Sequence, residues 1–384
     1  MDKFGLTPSL RLGLAVDLAK QTNSGWDLAL STGEHTEVDH LVVANGVFCE
    51  PNVPTWEGAD AHQAAGGVVK APSQNLSLDS ARNRHVVVVG YGKSACDVAV
   101  SLSAVAASVT IVARRLFFKG TKKILGRQSE DLAMTRLTEF GFAHPRLSRP
   151  AFALMRRETI RLQALDELGL VPPGRYEDIA QSGICSESDG FKEAIRCSAV
   201  VVRREASIAS LHGDPMPQAT LDDGSVIPAD LVVAATGFQQ SVPFLDASVR
   251  VQNDAGEFEL FRRILPHDVP NLTFCGYNSS LISALNAEVA AVWTAAYLAG
   301  VLDVPSLEER RVMVQLELEL MAQRTNGRNA HGTSVVPFSI GNIDAMVGDF
   351  DIALPRRTMV AQWFRRVRPE DYEDLLRAVL KSVA

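Results

Sequence analysis

The residues best suited to chemistry form a glycine-rich loop, residues 90–95, that directly follows an apolar run at residues 85–89. In a G-x-G-x-x-A loop, the first glycine makes a tight turn and the second lets the backbone approach a pyrophosphate. The small third residue lets the next helix, residues 96–106, pack closely and direct its positive end at the phosphates. The loop therefore predicts a dinucleotide site rather than a purely structural turn.

The choice of nucleotide depends on the end of the next strand, residues 108–112. An NAD-binding fold places Asp or Glu there, to bind the ribose 2′-hydroxyl. This chain has Arg114 and Arg115 instead. Guanidinium groups bind a 2′-phosphate through charge-assisted hydrogen bonds, so the pair favours NADP(H) over NAD(H). The alternative is a solvated pair of arginines in a loop.

Two apolar strands end in an A-x-G motif. One ends at Asn45 and Gly46, the other at Thr236 and Gly237, and each follows a hairpin pattern. Neither alternates polar with apolar residues, which is typical of strands buried on both faces of a parallel sheet. Each glycine would let the backbone approach a ligand at the carboxyl end of its strand.

A third site candidate lies between residues 274 and 288. An apolar strand ends in glycine there and leads to a helix rich in small residues. The N-terminus of this helix would face the electron-rich edge of a flavin ring. The alternative interpretation is a helix that belongs only to the core.

Composition excludes several classes of protein. The 384 residues carry a net charge of −7, whereas binding to nucleic acid or to anionic membranes requires a basic surface. The five cysteines include no C-x-x-C pair and fit a reducing cytoplasm. The longest apolar run, residues 289–302, is too short for a transmembrane segment.

The motifs together resemble the flavin-containing monooxygenases and, more distantly, the Baeyer–Villiger monooxygenases. The sequence GYGKSACDVA at residues 90–99 is similar to the family pattern G-x-G-x-S-[GA]-x-D-[IV]-A, with Ser94 and Asp97 matching. The resemblance extends over nearly the whole chain through the sequences ANG at residues 44–46, VARR at residues 112–115 and AATGF at residues 234–238. The resemblance implies that Ser94 helps to hold the NADP phosphates and that Arg114 helps to hold the 2′-phosphate. It also implies that Val16 lies near the FAD adenine.

The predicted cofactors are thus NADP(H) and FAD. The predicted NADP(H)-binding residues are Gly90, Tyr91, Gly92, Lys93, Ser94, Ala95, Arg114, Arg115, Thr236 and Gly237. The predicted FAD-binding residues are Val16, Asn45, Gly46, Leu285 and Asn286. No catalytic residue and no metal ligand is predicted.

The resemblance also implies an α/β fold with two dinucleotide-binding domains built on parallel sheets. Residues 1–64 and 244–384 are predicted to form the FAD domain. Residues 65–243 form the NADP domain, which is inserted into it and carries a helical insertion at about 116–190. No second G-x-G-x-x-G loop precedes residue 39, so we expect the FAD domain to lack its N-terminal phosphate-binding unit.

A second departure from the family pattern concerns the F-x-G-x-x-x-H fingerprint. Its best match is residues 65–71, which keep Gly67 but replace Phe and His with Ala65 and Ala71. This replacement affects the expectation of oxygenation more than that of nucleotide binding.

The activity implied by the resemblance is an NADPH- and FAD-dependent monooxygenation. The reduced flavin would form a C4a-(hydro)peroxide with dioxygen and oxygenate an amine, a sulfide or a ketone. The expected partners are a small-molecule substrate and dioxygen, with a possible homo-oligomer and no nucleic acid. The alternatives are a flavoprotein reductase, which the lack of C-x-x-C disfavours, and a non-catalytic NADP-binding remnant.

Overall fold

A computed structural model describes residues 4–124, 126–182, 185–327 and 331–383. The strands are β1 (Val16–Gln21), β2 (Trp26–Leu30), β3 (His35–Val38), β4 (Leu41–Val43), β5 (Glu50–Pro51), β6 (Val68–Lys70), β7 (His85–Val89), β8 (Ser108–Ala113), β9 (Lys123–Ile124), β10 (Arg127–Gln128), β11 (Val201–Arg204), β12 (Ile208–His212), β13 (Gln218–Leu221), β14 (Val226–Pro228), β15 (Leu231–Ala234), β16 (Phe238–Gln239), β17 (Leu260–Phe261), β18 (Leu265–Pro266) and β19 (Leu272–Phe274).

The described residues also form α-helices. They are α1 (Ala59–Ala64), α2 (Leu78–Ala81), α3 (Lys93–Ser103), α4 (Ser129–Ala133), α5 (Arg136–Ala143), α6 (Arg149–Leu162), α7 (Phe191–Arg196), α8 (Ser283–Leu298), α9 (Leu307–Thr325), α10 (Ser339–Gly348), α11 (Arg356–Ala361) and α12 (Glu373–Val383). Within the part of the chain that the structure describes, no helix combines the length and apolar character that crossing a membrane requires.

The largest sheet has five parallel strands in the order β11-β8-β7-β15-β6. All four residues of β15 are buried, as are the three central valines of β7, so both faces of these strands are covered. The helix α3 connects β7 to β8 and buries its small residues, Ala95, Cys96 and Ala99, against the sheet. The predicted parallel sheet and the strand–loop–helix–strand unit are therefore confirmed.

The strand order reverses between β7 and β15. From β7 the chain proceeds through α3 to β8 on one side, whereas β15 lies on the other side of β7. Open parallel sheets bind ligands beyond the carboxyl ends of the strands at such a reversal. The loop at residues 90–95 and the exit of β15 both lie at this edge.

A second unit of the chain contains the parallel pair of β4 and β19 and the antiparallel sheet of β1, β2 and β3. The prediction that the strand before Asn45 is buried on both faces is wrong for Val42, whose side chain is 44% exposed. Among the described residues, β4 pairs only with β19, so its second edge is open. Successive side chains of a strand point to opposite faces, so Val43 is buried on one face of β4 while Val42 is exposed on the other.

The segment at about 116–190 contains the short hairpin β9–β10 and the helices α4, α5 and α6, and its description as a helical insertion stays a prediction. Its helix α5 docks onto the C-terminal helices. The Arg136 guanidinium donates to Asp344 at 2.8 Å and to Gln362 at 2.9 Å. Both oxygens of Glu139 accept the backbone N–H groups of Ile340 and Gly341, at 2.8 and 2.7 Å.

Glu139 therefore caps the first turn of α10 from a largely buried position. Burial raises the pKa of Glu139 to about 7, whereas the hydrogen bonds from Ile340 and Gly341 lower it. Because the folded pKa lies above the ordinary glutamate pKa of 4.5, folding takes up a proton between these pH values. The resulting stabilisation is complete below about pH 4.5 and is lost as the pH rises through 7.

We expect the free energy of unfolding to lose about 3 kcal/mol from this group between pH 4.5 and 7.5. The variant Glu139→Gln cannot ionise, so its urea denaturation midpoint should lack this part of the pH dependence. The exposed Glu130→Gln on α4 is the matched control and should follow the native curve. Identical pH dependence in all three proteins would contradict the buried, protonated state of Glu139.

Candidate dinucleotide site

Gly90 brings the glycine-rich loop into contact with the neighbouring strand exit. Its φ is +124°, a conformation that residues with a side chain rarely adopt. A Cβ atom at this position would lie 2.5 Å from the carbonyl oxygen of Ala235, just beyond β15. The N–H of Gly90 donates to Val112 in β8 at 3.0 Å. The loop thus holds the exits of three adjacent strands together.

Gly92 has a different role, because it opens the helix α3 rather than packing against a strand. Its φ is −67°, and a Cβ atom built there would meet no atom within 4 Å. The first turn of α3 has no side-chain cap and no acidic residue, so its positive end is not neutralised there. This open helix N-terminus is suited to an anionic phosphate.

A cavity of about 1830 Å³ opens in front of this loop. It is lined by residues from the carboxyl ends of the five-stranded sheet and from the segments that follow β5 and β16. Its charged lining residues are four cations and one anion in a chain of net charge −7: Lys93, Arg114, Arg115, Arg204 and Glu205. The local excess of positive charge favours a polyanionic ligand.

The two arginines predicted to bind the 2′-phosphate both line this cavity. They directly follow β8, and the Arg114 side chain is exposed. Arg204, at the end of β11, was not predicted. It lies there because β11 pairs in parallel with β8, with Arg204 opposite Ala113. The only sequence signal would have been the polar end of the strand VVRR.

The other predicted NADP(H) residues differ in what they offer. Ser94 is exposed at the cavity, and the Lys93 ammonium pairs with Asp97 at 2.7 Å. The side chains of Tyr91 and Ala95 are buried in the core. Burial raises the pKa of Tyr91. For Tyr91, contact with a nucleotide would therefore come mainly from its backbone.

Thr236 and Gly237 connect the cavity with the second unit of the chain. The Thr236 hydroxyl donates to the carbonyl of Asn52, and the Asn52 N–H donates to the carbonyl of Gly237 at 2.9 Å. The strands β5 and β16 pair immediately beside these contacts. The segment that contains Asn52 therefore runs beside the segment at residues 236–237. The sequence did not predict this contact.

The predicted FAD residues lie outside this cavity. Asn45 is exposed after β4, where its side-chain oxygen accepts the hydroxyl of Tyr277 at 2.7 Å. Gly46 has a φ of +82° and open space around it, whereas Val16 is half-buried in β1. Leu285 and Asn286 are at most 1% exposed. The role of these five residues stays a prediction.

Asn286 is engaged in a polar network within the protein. Its amide donates to Ser280 at 3.0 Å, and its side-chain oxygen accepts from Asn342 at 2.8 Å. The network joins the first turn of α8 to α10. The burial of Asn286 fits the interpretation in which this helix belongs to the core.

The described residues hold no group of three or more His, Cys, Asp or Glu side chains that could bind a metal ion.

Residues 16–336 match the family described as FMO-like, flavin-binding monooxygenase-like. The chain belongs to this family. Flavin-containing monooxygenase 3 of Homo sapiens is 23% identical over 306 residues, which are 75% of this chain and 53% of that protein. The chain spans about half the length of the curated relatives it matches.

Solved structures of monooxygenases have the same fold. S-allyl-L-cysteine S-oxygenase from Allium sativum is 16% identical, with a TM-score of 0.57, and the alignment covers 100% of this chain and 73% of that one. Cyclohexanone monooxygenase from Rhodococcus sp. Phi1, bound to NADP+, is also 16% identical, with a TM-score of 0.63 and coverages of 95% and 81%. The predicted family and the α/β fold with parallel sheets are thus confirmed.

Replacing Arg114 tests the assignment of the 2′-phosphate. We expect Arg114→Ala to raise the Kd for NADPH by about 10- to 100-fold, the value of one or two charge-assisted hydrogen bonds, and to leave NADH binding nearly unchanged. Isothermal titration calorimetry measures both. The distant, exposed Arg357→Ala serves as control. An equal loss for both nucleotides would contradict the assignment.

We expect substitution by alanine at the two loop glycines to lower the stability of the fold by different amounts. We expect Gly90→Ala to destabilise the fold by more than about 2 kcal/mol, because its Cβ collides with backbone and its φ is unfavourable. Gly92→Ala should cost less than about 1 kcal/mol of stability, yet weaken NADPH binding. Denaturant melts and calorimetry separate the two effects. Native stability in Gly90→Ala would contradict the close approach to Ala235.

Proposed function

We propose that this chain binds NADPH and FAD in a monooxygenase that inserts one oxygen atom of dioxygen into an amine, a sulfide or a ketone. The observation that carries the proposal is the cationic cavity at the strand reversal, with Arg114 and Arg115 at the end of β8. Membership of the flavin-binding monooxygenase-like family supports it.

The residues at the cavity fit NADP(H) in three ways. Gly92 and the uncapped first turn of α3 would receive the pyrophosphate, since no side chain caps the helix and a Cβ at Gly92 would meet no atom within 4 Å. Arg114, with Arg115 beside it, would bind the 2′-phosphate. Trp56, Leu116 and Phe117 supply apolar lining that would exclude water from the bound dinucleotide.

The fit for FAD is partial. Gly46 and Gly276 follow the parallel strands β4 and β19, both have positive φ, and a Cβ at either would meet no atom within 4 Å. These exits would allow a flavin to approach the backbone closely. The 384 residues contain only the one glycine-rich fingerprint, at Gly90. When bound, FAD would accept hydride from NADPH and react with dioxygen, while the chain orients the dinucleotide.

A second candidate is an NADP-binding protein without oxygenation activity. It is favoured by the burial of Leu285 and Asn286. The retained Gly67 does not distinguish the two functions, because a Cβ there would lie 2.2 Å from the buried ring of His62. Packing alone therefore explains this glycine.

The visible absorption spectrum of the purified chain, with and without added FAD, tests the proposal. We expect a bound flavin whose absorbance is bleached by NADPH under nitrogen and recovers in air. Oxygen uptake should then increase with a tertiary amine, a thioether or a cyclic ketone, and product should accumulate. NADPH binding without bound flavin would instead support the second candidate. Failure to bind NADPH would contradict both.

A further inference from the structure

A buried lysine and a buried cysteine are in direct contact beneath the dinucleotide site. The side chain of Lys119 is 4% exposed, and its Nζ lies 2.8 Å from the Sγ of Cys96, which is fully buried. A charged ammonium is rarely buried without a carboxylate partner. Among the described residues, the Cys96 sulfur is the one hydrogen-bond acceptor within reach of this Nζ.

Aromatic rings form the rest of the surroundings. The Lys119 Nζ lies 3.6 Å from the ring centre of Tyr91 and 5.0 Å from that of Phe191. Attraction between the cation and these rings stabilises the ammonium without a counter-charge. The backbone carbonyl of Lys119 accepts the side-chain amide of Gln163 at 2.8 Å, which fixes the segment. The nitrogen is therefore held against the sulfur.

The pair also lies between two parts of the dinucleotide site. Cys96 belongs to the first turn of α3, directly after the glycine-rich loop. Lys119 lies five residues beyond Arg114, in the segment that leaves β8. A covalent bond between them would join the phosphate-binding helix end to the arginine segment. Burial raises the pKa of the neighbouring Cys185 thiol, and the charge of Lys119 partly lowers it again.

We propose that Cys96 and Lys119 form an oxidant-responsive modification site, in which hydrogen peroxide produces a covalent bond between Sγ and Nζ. The contact distance places the amine nitrogen where a nucleophile must lie to attack the sulfur. Neither residue belongs to the predicted catalytic or cofactor-binding set.

The chemistry uses one molecule of hydrogen peroxide and proceeds in two steps. First, the Cys96 sulfur attacks one peroxide oxygen, the O–O bond breaks, and water leaves, so that the thiol becomes a sulfenic acid. The ammonium of Lys119 then releases a proton to water, and the resulting neutral amine attacks the sulfur, so that the S–O bond breaks as a second water leaves. The S–N bond that forms retains no oxygen, and the two side chains together lose two hydrogens. A thiol reductant reverses it.

The bond removes the ammonium charge beside the phosphate-binding turn and restrains the arginine segment. We therefore expect the oxidised chain to bind NADPH less tightly than the reduced chain. This consequence rests on the proposed function, whereas the formation of the bond does not. The following experiment needs neither nucleotide nor flavin, so its failure is distinguishable from a failure of the proposed function.

The test is peptide mapping by mass spectrometry of the full chain after treatment with hydrogen peroxide. We expect one cross-linked species that joins the peptides of Cys96 and Lys119, lacks two hydrogens, and disappears with dithiothreitol. It should persist in Cys185→Ser, which excludes a disulfide between Cys96 and Cys185. It should be absent in Lys119→Arg, which keeps the cation but lacks a nucleophilic amine.

Lys119→Met provides a second variant in case the larger arginine disturbs folding, and thermal melts of all variants check that the fold is intact. Three outcomes would overturn the proposal. They are a Cys96–Cys185 disulfide, sulfenic or sulfinic acid on Cys96 without a cross-link, and no oxidation of Cys96 under conditions that oxidise the exposed Cys49. A cross-link that retains an oxygen atom would contradict the condensation step.

Discussion

The close approach of Gly90 to the carbonyl of Ala235 is the constraint on which the site depends. It lets the chain leave β7 at a sharp angle while β15 stays paired beside it. If a side chain stood at this position, the loop and the strand exit would have to separate, and α3 could not begin so close to the sheet. The helix N-terminus then would not point into the crevice that the strand order creates.

Charge gives this crevice its selectivity. The chain as a whole is acidic, so its general field repels a dinucleotide phosphate, and attraction must be local. The sheet supplies it through its topology, because parallel pairing brings the ends of β8 and β11 to the same edge. Arg114, Arg115 and Arg204 therefore share one cavity although the whole insertion separates Arg204 from the other two in sequence.

The sequence predicted features that depend on local patterns. The apolar runs of β7 and β15, the glycine loop and the presence of a helix after it follow from residue types at short spacing, whereas α3 begins at Lys93, three residues earlier than predicted. Features that depend on distant pairing were missed, among them Arg204 and the contacts of Asn52 with Thr236 and Gly237. The exposure of Val42 was predicted wrongly, because an apolar sequence does not reveal whether other elements cover each face of a strand.

Burial explains a further difference between residue pattern and site. The small polar residues around Asn286 do not reveal from sequence that its amide is bonded within the protein, to Ser280 and Asn342. Lys119 showed no signal at all, since its contact with Cys96 requires the segment after β8 to fold back on α3. Side-chain partners across such long loops are set by tertiary packing rather than by local sequence.

The most direct test of the central claim is calorimetric titration of the chain with 2′,5′-ADP and, in parallel, with 5′-AMP. These two fragments differ only in the 2′-phosphate. If the cavity at the end of β8 is built for NADP(H), 2′,5′-ADP should bind at least about tenfold more tightly, with an advantage that shrinks as salt increases. Equal binding of the two fragments, or binding of neither, would contradict the assignment of this cavity.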